Sequence, residues 1–226
     1  MEMFYQLQKT QVIRQMASLL KVNLDEIIES YPEEEFNGRL NRKFVKDIIY
    51  SPWQSDEFEE AMNRVCNLPF LKDKRTPVEY GIDLICGWLM EDVAIAFLKS
   101  RGLSPEKNGS DAGRVFLKDY QITTNSDLII AGRHFDVYFD SKNIWHNTGS
   151  MDIRESKWNS LRAVNGIVLC FSVEGIAIVR TEHEENLGVW ENPWWGFKRA
   201  VSVGNMKSRL LPPEFAISLL ESILKS

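Results

Sequence analysis

The chain has 226 residues, 44% hydrophobic and 26% charged, with 27 Lys and Arg against 32 Asp and Glu. That composition is ordinary for a globular protein and excludes an intrinsically disordered chain. The net charge of −5 and pI near 5.4 argue against a protein that coats nucleic acid through bulk positive charge, although a local basic strip on an acidic molecule can still carry phosphate contacts.

The first 75 residues read as helical. Phe4 to Val22 carries Val12, Ile13, Met16, Leu19 and Leu20 at helical spacing. Asn23 is placed to cap a second helix reaching Tyr31; Leu40 to Tyr50 forms a third; Ser55 caps a fourth that runs to about Cys66. The polar stretch Leu71 to Pro77 marks a boundary, dividing the chain into a helical region over 1–75 and a core with its tail over 76–226. A long helix from about Val78 to Arg101 follows, stopped by Gly102. Its apolar run from Ile82 to Leu98 is interrupted by Asp83, Glu91 and Asp92 and falls short of the about 18 clean residues a membrane span needs. No membrane partner is expected. Gln6, Gln8, Lys9 and Gln11 interrupt any apolar leader, so a cytoplasmic location is expected.

The next stretch is rich in strands. Arg114 to Lys118 is a short candidate. Asp127 to Ala131 and His134 to Lys142 form a hairpin about Gly132-Arg133. Met151 to Val164 reads as a helix, Gly166 to Val173 and Ile176 to Thr181 as a second hairpin, Ala200 to Val203 as a strand, and Glu214 to Leu224 as a last helix opened by Pro212-Pro213. Three cysteines without a CxxC pair make a disulfide framework or zinc knuckle unexpected; Cys86 and Cys170 read as core. His134, His146 and His183 are too scattered for a zinc site.

The hairpin gathers charge on one face. With Gly132-Arg133 as the loop, Ala131 faces His134, Ile129 faces Asp136 and Asp127 faces Tyr138. Opposed residues share a face and side chains alternate with period two. Asp127, Asp136, Tyr138, Asp140 and Lys142 therefore project together, while Phe135, Val137 and Phe139 point into the core. Asp136 is read as exposed, and Asp111 as shaping a turn. On the preceding helix, Glu91 sits within an apolar stripe of Leu84, Gly87, Trp88, Ala94, Ile95 and Leu98. A carboxylate there is costly without a partner or a metal.

Asp127 followed by Asp140-Ser141-Lys142, with Glu91 on the helix before and an α-β-β-β-α-β order over residues 76–182, resembles the PD-(D/E)XK nuclease superfamily. Serine replaces the proline before the first acid, and the second acid is Asp. The resemblance implies an α/β (α+β) restriction-endonuclease-like core with a helical N-terminal extension. It implies a metal-dependent DNA nuclease, an endonuclease hydrolysing phosphodiester bonds. Asp127, Asp140 and Glu91 would hold Mg²⁺, or Mn²⁺ in its place, and Lys142 would position the attacking water. The metal preference accords with hard oxygen ligands. DNA is the expected partner, and the N-terminal helices would serve homodimer formation or DNA contact. The alternative is an inactive nuclease-fold protein acting as a DNA-binding or phage structural or packaging component. Trp190, Trp194, Trp195, Phe197, Lys198, Arg199, Lys207 and Arg209 mix aromatic and basic groups suited to unpaired bases or to anchoring a loop.

Overall fold

The computed structural model describes residues 2–51, 55–65, 75–116, 123–140, 149–192 and 198–225, with side chains from Gln8 onward. These residues form a mixed α+β fold of eight helices and two sheets. The helices are α1 (Glu2–Leu20), α2 (Leu24–Glu29), α3 (Arg42–Tyr50), α4 (Asp56–Val65), α5 (Pro77–Ser100), α6 (Glu155–Arg162), α7 (Met206–Arg209) and α8 (Pro213–Lys225). The strands are β1 (Glu106–Lys107), β2 (Leu128–Ile130), β3 (Arg133–Phe139), β4 (Met151–Arg154), β5 (Ile167–Ser172), β6 (Gly175–Arg180), β7 (Leu187–Asn192) and β8 (Lys198–Val203). None of the described helices is long and apolar enough to cross a membrane.

The larger sheet has the order β1-β2-β3-β5-β6. Its pairs are antiparallel except β3 with β5, which run parallel, and α6 lies in the crossover between them. The smaller sheet, β4-β8-β7, is antiparallel throughout. On one face of the larger sheet, Leu128, Ile130, Phe135, Leu169 and Phe171 pack against α5, α1 and α8. On the other, Val168, Cys170, Ala177 and Val179 pack against Trp158 and Leu161 of α6 and against the smaller sheet. The site arises where this second face meets the start of β2.

Helix α5 runs through the middle of the molecule. Thr76 caps it, its side chain accepting from Glu79 N while the Glu79 carboxylate accepts from Thr76 N, and Pro77 fills the first turn where no N–H is needed. Apolar residues surround most of its circumference, as a helix buried between layers requires. Val93, Phe97 and Leu98 face the sheet, whereas Ile85, Cys86 and Leu89 face α1, α3 and α4. Helix α1 feeds both clusters: Val12, Met16 and Leu20 join the sheet side and Ile13 the helical side. Packing is thus continuous across the boundary expected at residue 75.

Several expected elements differ. The hairpin turn is Ala131-Gly132, with φ of 49° and 78°, and the ladder pairs Ile130 with Arg133 and Leu128 with Phe135. Left-handed φ at both central positions is the type I′ pattern, which matches the twist of paired strands. The shift from Gly132-Arg133 changes each partner by two residues, so the side chains of β2 and β3 keep their expected faces. Met151 to Val164 is not one helix: Met151–Arg154 pairs with β8, and the helix starts at Glu155. Met151 and Ile153 alternate with Asp152 and Arg154, a strand pattern hidden beneath the helical spacing that follows. Within the expected strand Arg114 to Lys118, Val115 makes an isolated bridge to Arg39. Strands β1 and β7 carry little apolar patterning and are not expected from the sequence.

Candidate active site

The register continues one step past the β2–β3 ladder, placing Asp127 directly opposite Asp136. Asp127 N donates to Asp136 Oδ1 at 3.2 Å, and Val137 N donates to Asp127 Oδ2 at 2.9 Å. The turn before β2 is itself anchored. Asn108 N donates to the Asp127 carbonyl at 2.8 Å, and the Asn108 amide donates to Ser126 O and Oγ at 3.1 and 3.0 Å. Ser126 Oγ also bonds His134 Nδ1 at 2.8 Å.

Lys157, in the first turns of α6, spans the two acids. Its ammonium stands 3.1 Å from Asp127 Oδ1 and 3.2 Å from Asp136 Oδ1, and also donates to the Asn125 carbonyl. Asp136 is wholly buried, and its Oδ2 has no hydrogen-bond partner among the described residues. Burial, reinforced by the neighbouring Asp127 charge and opposed by Lys157, raises the Asp136 carboxyl to about 7. For Lys157, burial pulls the ammonium down, but attraction to Asp127 and Asp136 outweighs it and the pKa rises.

Glu91 approaches from the α5 side. Burial and the Asp127 charge push its carboxyl up to about 8, against the pull of Arg114. Arg114 Nη1 donates to Glu91 Oε2 at 2.6 Å, and Nη2 donates to Asp92 Oδ1 at 2.6 Å. Glu91 therefore has the partner that its apolar stripe demands. Asp111 accepts from the Trp88 indole N–H and closes the turn expected of it through its carbonyl, which accepts from Arg114 N at 2.7 Å.

A cleft of about 730 Å³ opens over these groups. Asp127, Asp111 and Asp83 line it, together with Tyr138 and four cations: Arg75, Arg154, Lys157 and Lys198. Glu91 and Asp136 are not among the residues that line it. The cleft thus sets four cations beside three carboxylates.

The expected site residues part company here. Glu91 and Asp127 are brought together. Asp140 lies just past β3, buried, its N–H donating to the Phe171 carbonyl at 2.8 Å. Four residues of strand rise put it about 13 Å from Asp136. Lys142 and His146 lie outside the described residues, as do Trp194, Trp195 and Phe197. Asp136, expected to be exposed, is instead at the centre, because the side of β3 that carries it is covered by α6. Lys157 is legible in the sequence only as a basic residue of the following helix. Trp190 lies on strand β7, half-exposed, its indole donating to Asp152 at 3.3 Å.

Mg²⁺ is the ion the resemblance implies, and the residues fit one in charge and chemistry. The donors are hard carboxylate oxygens, one of them, Asp136 Oδ2, is buried without a hydrogen-bond partner among the described residues, and burial, with the Asp127 charge, raises the pKa of Asp136 and Glu91. Mg²⁺ needs only one or two protein carboxylates, keeping water for the rest of its shell. Among the described residues no three His, Cys, Asp or Glu side chains form a ready ligand set; Glu91 is paired with Arg114, and Lys157 bridges Asp127 and Asp136. No protein-family model, curated protein or solved structure matches the chain.

Proposed function

We propose that the protein is a metal-dependent DNA nuclease of the restriction-endonuclease-like type, with Asp127 and Asp136 as the principal metal ligands, Glu91 beside them and Lys157 as the site's lysine. The observation that carries this reading is the pair of opposed strand carboxylates, one with an orphaned buried oxygen, sharing a single ammonium at the edge of a cation-lined cleft. The order of helix, antiparallel hairpin, crossover helix and parallel strand supports the same family. In this reading Asp136-Val137-Tyr138 stands where an acid-x-lysine motif would, and the lysine comes from α6.

Bound Mg²⁺ would supply a water of lowered pKa and offset charge on the phosphate. The chain's own groups do the rest. Asp127 and Asp136 are held rigid by their mutual backbone bonds, so they need no reordering to bind a cation. Lys157, whose ammonium bridges Asp127 and Asp136, is the group that would offset charge on the phosphate or orient the attacking water. Arg75, Arg154 and Lys198 hold flanking phosphates, and few such contacts suit a molecule of net charge −5.

One observation favours a second reading, an inactive nuclease-fold protein that binds DNA: Lys157 already sits in the place of a cation. A cleavage panel decides between them. Labelled duplex, branched and single-stranded DNA are incubated with Mg²⁺, Mn²⁺ or EDTA. The nuclease reading expects cutting that EDTA abolishes. DNA retained in a gel shift but never cut, under any of these ions, supports the second.

A further inference from the structure

Glu91 and Asp92 are consecutive on α5, so their side chains diverge by about 100°. A single guanidinium spans both. Arg114 Nη1 reaches Glu91 at 2.6 Å, while Nη2 and Nε reach Asp92 at 2.6 and 3.4 Å. Asp92 is held from the far side as well: Tyr31 OH donates to its Oδ2 at 2.5 Å, and Lys107 Nζ stands 2.7 Å from its Oδ1.

The backbone of Arg114 is placed by the N-terminal region. Its carbonyl accepts from Leu40 N at 2.8 Å, Phe116 N donates to the Gly38 carbonyl at 2.8 Å, and Val115 bridges Arg39. Arg114 has φ of 55°, a left-handed conformation that is strained for a residue with a side chain. Its side chain is only 6% exposed. Such strain persists where the surroundings over-determine a residue, and it clusters at functional sites.

We infer that Arg114 is a positioning residue that orients Glu91 toward the Asp127–Asp136 pair, and that residues 31–40 of the N-terminal region, acting through Tyr31, Asp92 and Arg114, are part of the active site rather than an appendage. The inference rests on the metal-dependent reading above. The helical region thereby acquires a role in the chemistry, which is to fix the third carboxylate. Lysine at position 114 would lose the fork whose separate nitrogens hold the two acids, Nη1 on Glu91 and Nη2 with Nε on Asp92.

The test is Mn²⁺ affinity of the full-length protein, read by electron paramagnetic resonance of the free ion, for wild type, Arg114→Lys and Tyr31→Phe, with circular dichroism as the check on folding. Residues that orient ligands typically change metal affinity about 10–100-fold. Folded Arg114→Lys should bind Mn²⁺ at least about tenfold more weakly than wild type, and Tyr31→Phe should weaken in the same direction. In cleavage, kcat should fall while the KM for DNA holds. Arg114→Lys that folds and binds Mn²⁺ as tightly as wild type overturns the inference and leaves the nuclease reading standing. If Arg114→Lys does not fold, Tyr31→Phe decides alone: weaker binding supports the relay, and wild-type affinity overturns it. Wild-type protein that binds no Mn²⁺ removes the metal-dependent reading and the inference with it.

Discussion

Asp136 shows how one buried atom organises a site. Its carboxyl is raised from 3.8 to about 7, chiefly by burial. The unfolded chain releases this proton near pH 4, while the folded protein keeps it until about pH 7, so the folded state binds more protons in between. Stability of the metal-free protein should therefore be fully present below about pH 4 and be lost as pH rises toward 7. Glu91, raised to about 8 by burial and Asp127, acts in the same direction over a wider window. Urea melts across pH 4.5–8 should show this decline in wild type and a flatter profile in Asp136→Asn; identical profiles would remove Asp136 as its source. Lys157 makes the complementary case. Lys157→Ala leaves the buried Asp136 and the partly buried Asp127 without their cation and should cost about 3 kcal/mol. Mg²⁺ should recover more melting temperature in that variant than in wild type, because the ion enters the gap the ammonium vacates. An equal Mg²⁺ effect on both proteins would show that lysine and metal do not compete for one place.

At the scale of elements, the hairpin carried the most information in the sequence. Period-two alternation put Asp127, Asp136 and Tyr138 on one face, and a turn shifted by one residue left that assignment intact. The shift did decide which acid opposes Asp127: Asp136, not a residue nearer Asp140. Alternation reports faces, whereas only turn geometry reports partners. Gly132 as the second central residue is the signal that points to Ala131-Gly132. Ala131 bears the cost of its φ of 49°. Ala131→Asn, better suited to this conformation, should raise stability by about 0.5–1 kcal/mol in denaturant melts and leave cleavage unchanged; a loss of stability would argue against the type I′ turn. The start of α6 was less legible. Met151–Arg154 pairs with β8, about 50 residues later in sequence, and local spacing cannot report a long-range partner.

At the scale of the whole molecule, the sequence divided the chain where the packing does not. Val12, Met16 and Leu20 of α1 lie in one cluster with Phe135 and Phe171 of the sheet, and Ile13 joins Ile85 and Leu89 of α5 in another. A fragment of residues 76–226 should lose the near-ultraviolet circular dichroism of a fixed core, since much of α5 would be stripped to water. A fragment with native-like spectra and a sharp melt would restore the division at residue 75. The N-terminal helices have their own apolar faces, which is why they read as a separate unit; that both faces of α5 need covering emerges only once the helix is seen between layers.

The central claim is that Asp127, Asp136 and Lys157 form a Mg²⁺-dependent phosphodiesterase centre, and single-turnover cleavage in Mg²⁺ by wild type, Asp136→Asn and Asp140→Asn tests it most directly. The two substitutions are chemically identical and four residues apart, one on β3 and the other just past its end. Wild type should cut, Asp136→Asn should lose about 10²-fold or more, on the scale of removing one preorganised electrostatic group, and Asp140→Asn should stay within a few-fold of wild type. The reverse pattern, with Asp140→Asn inactive and Asp136→Asn active, would contradict the account.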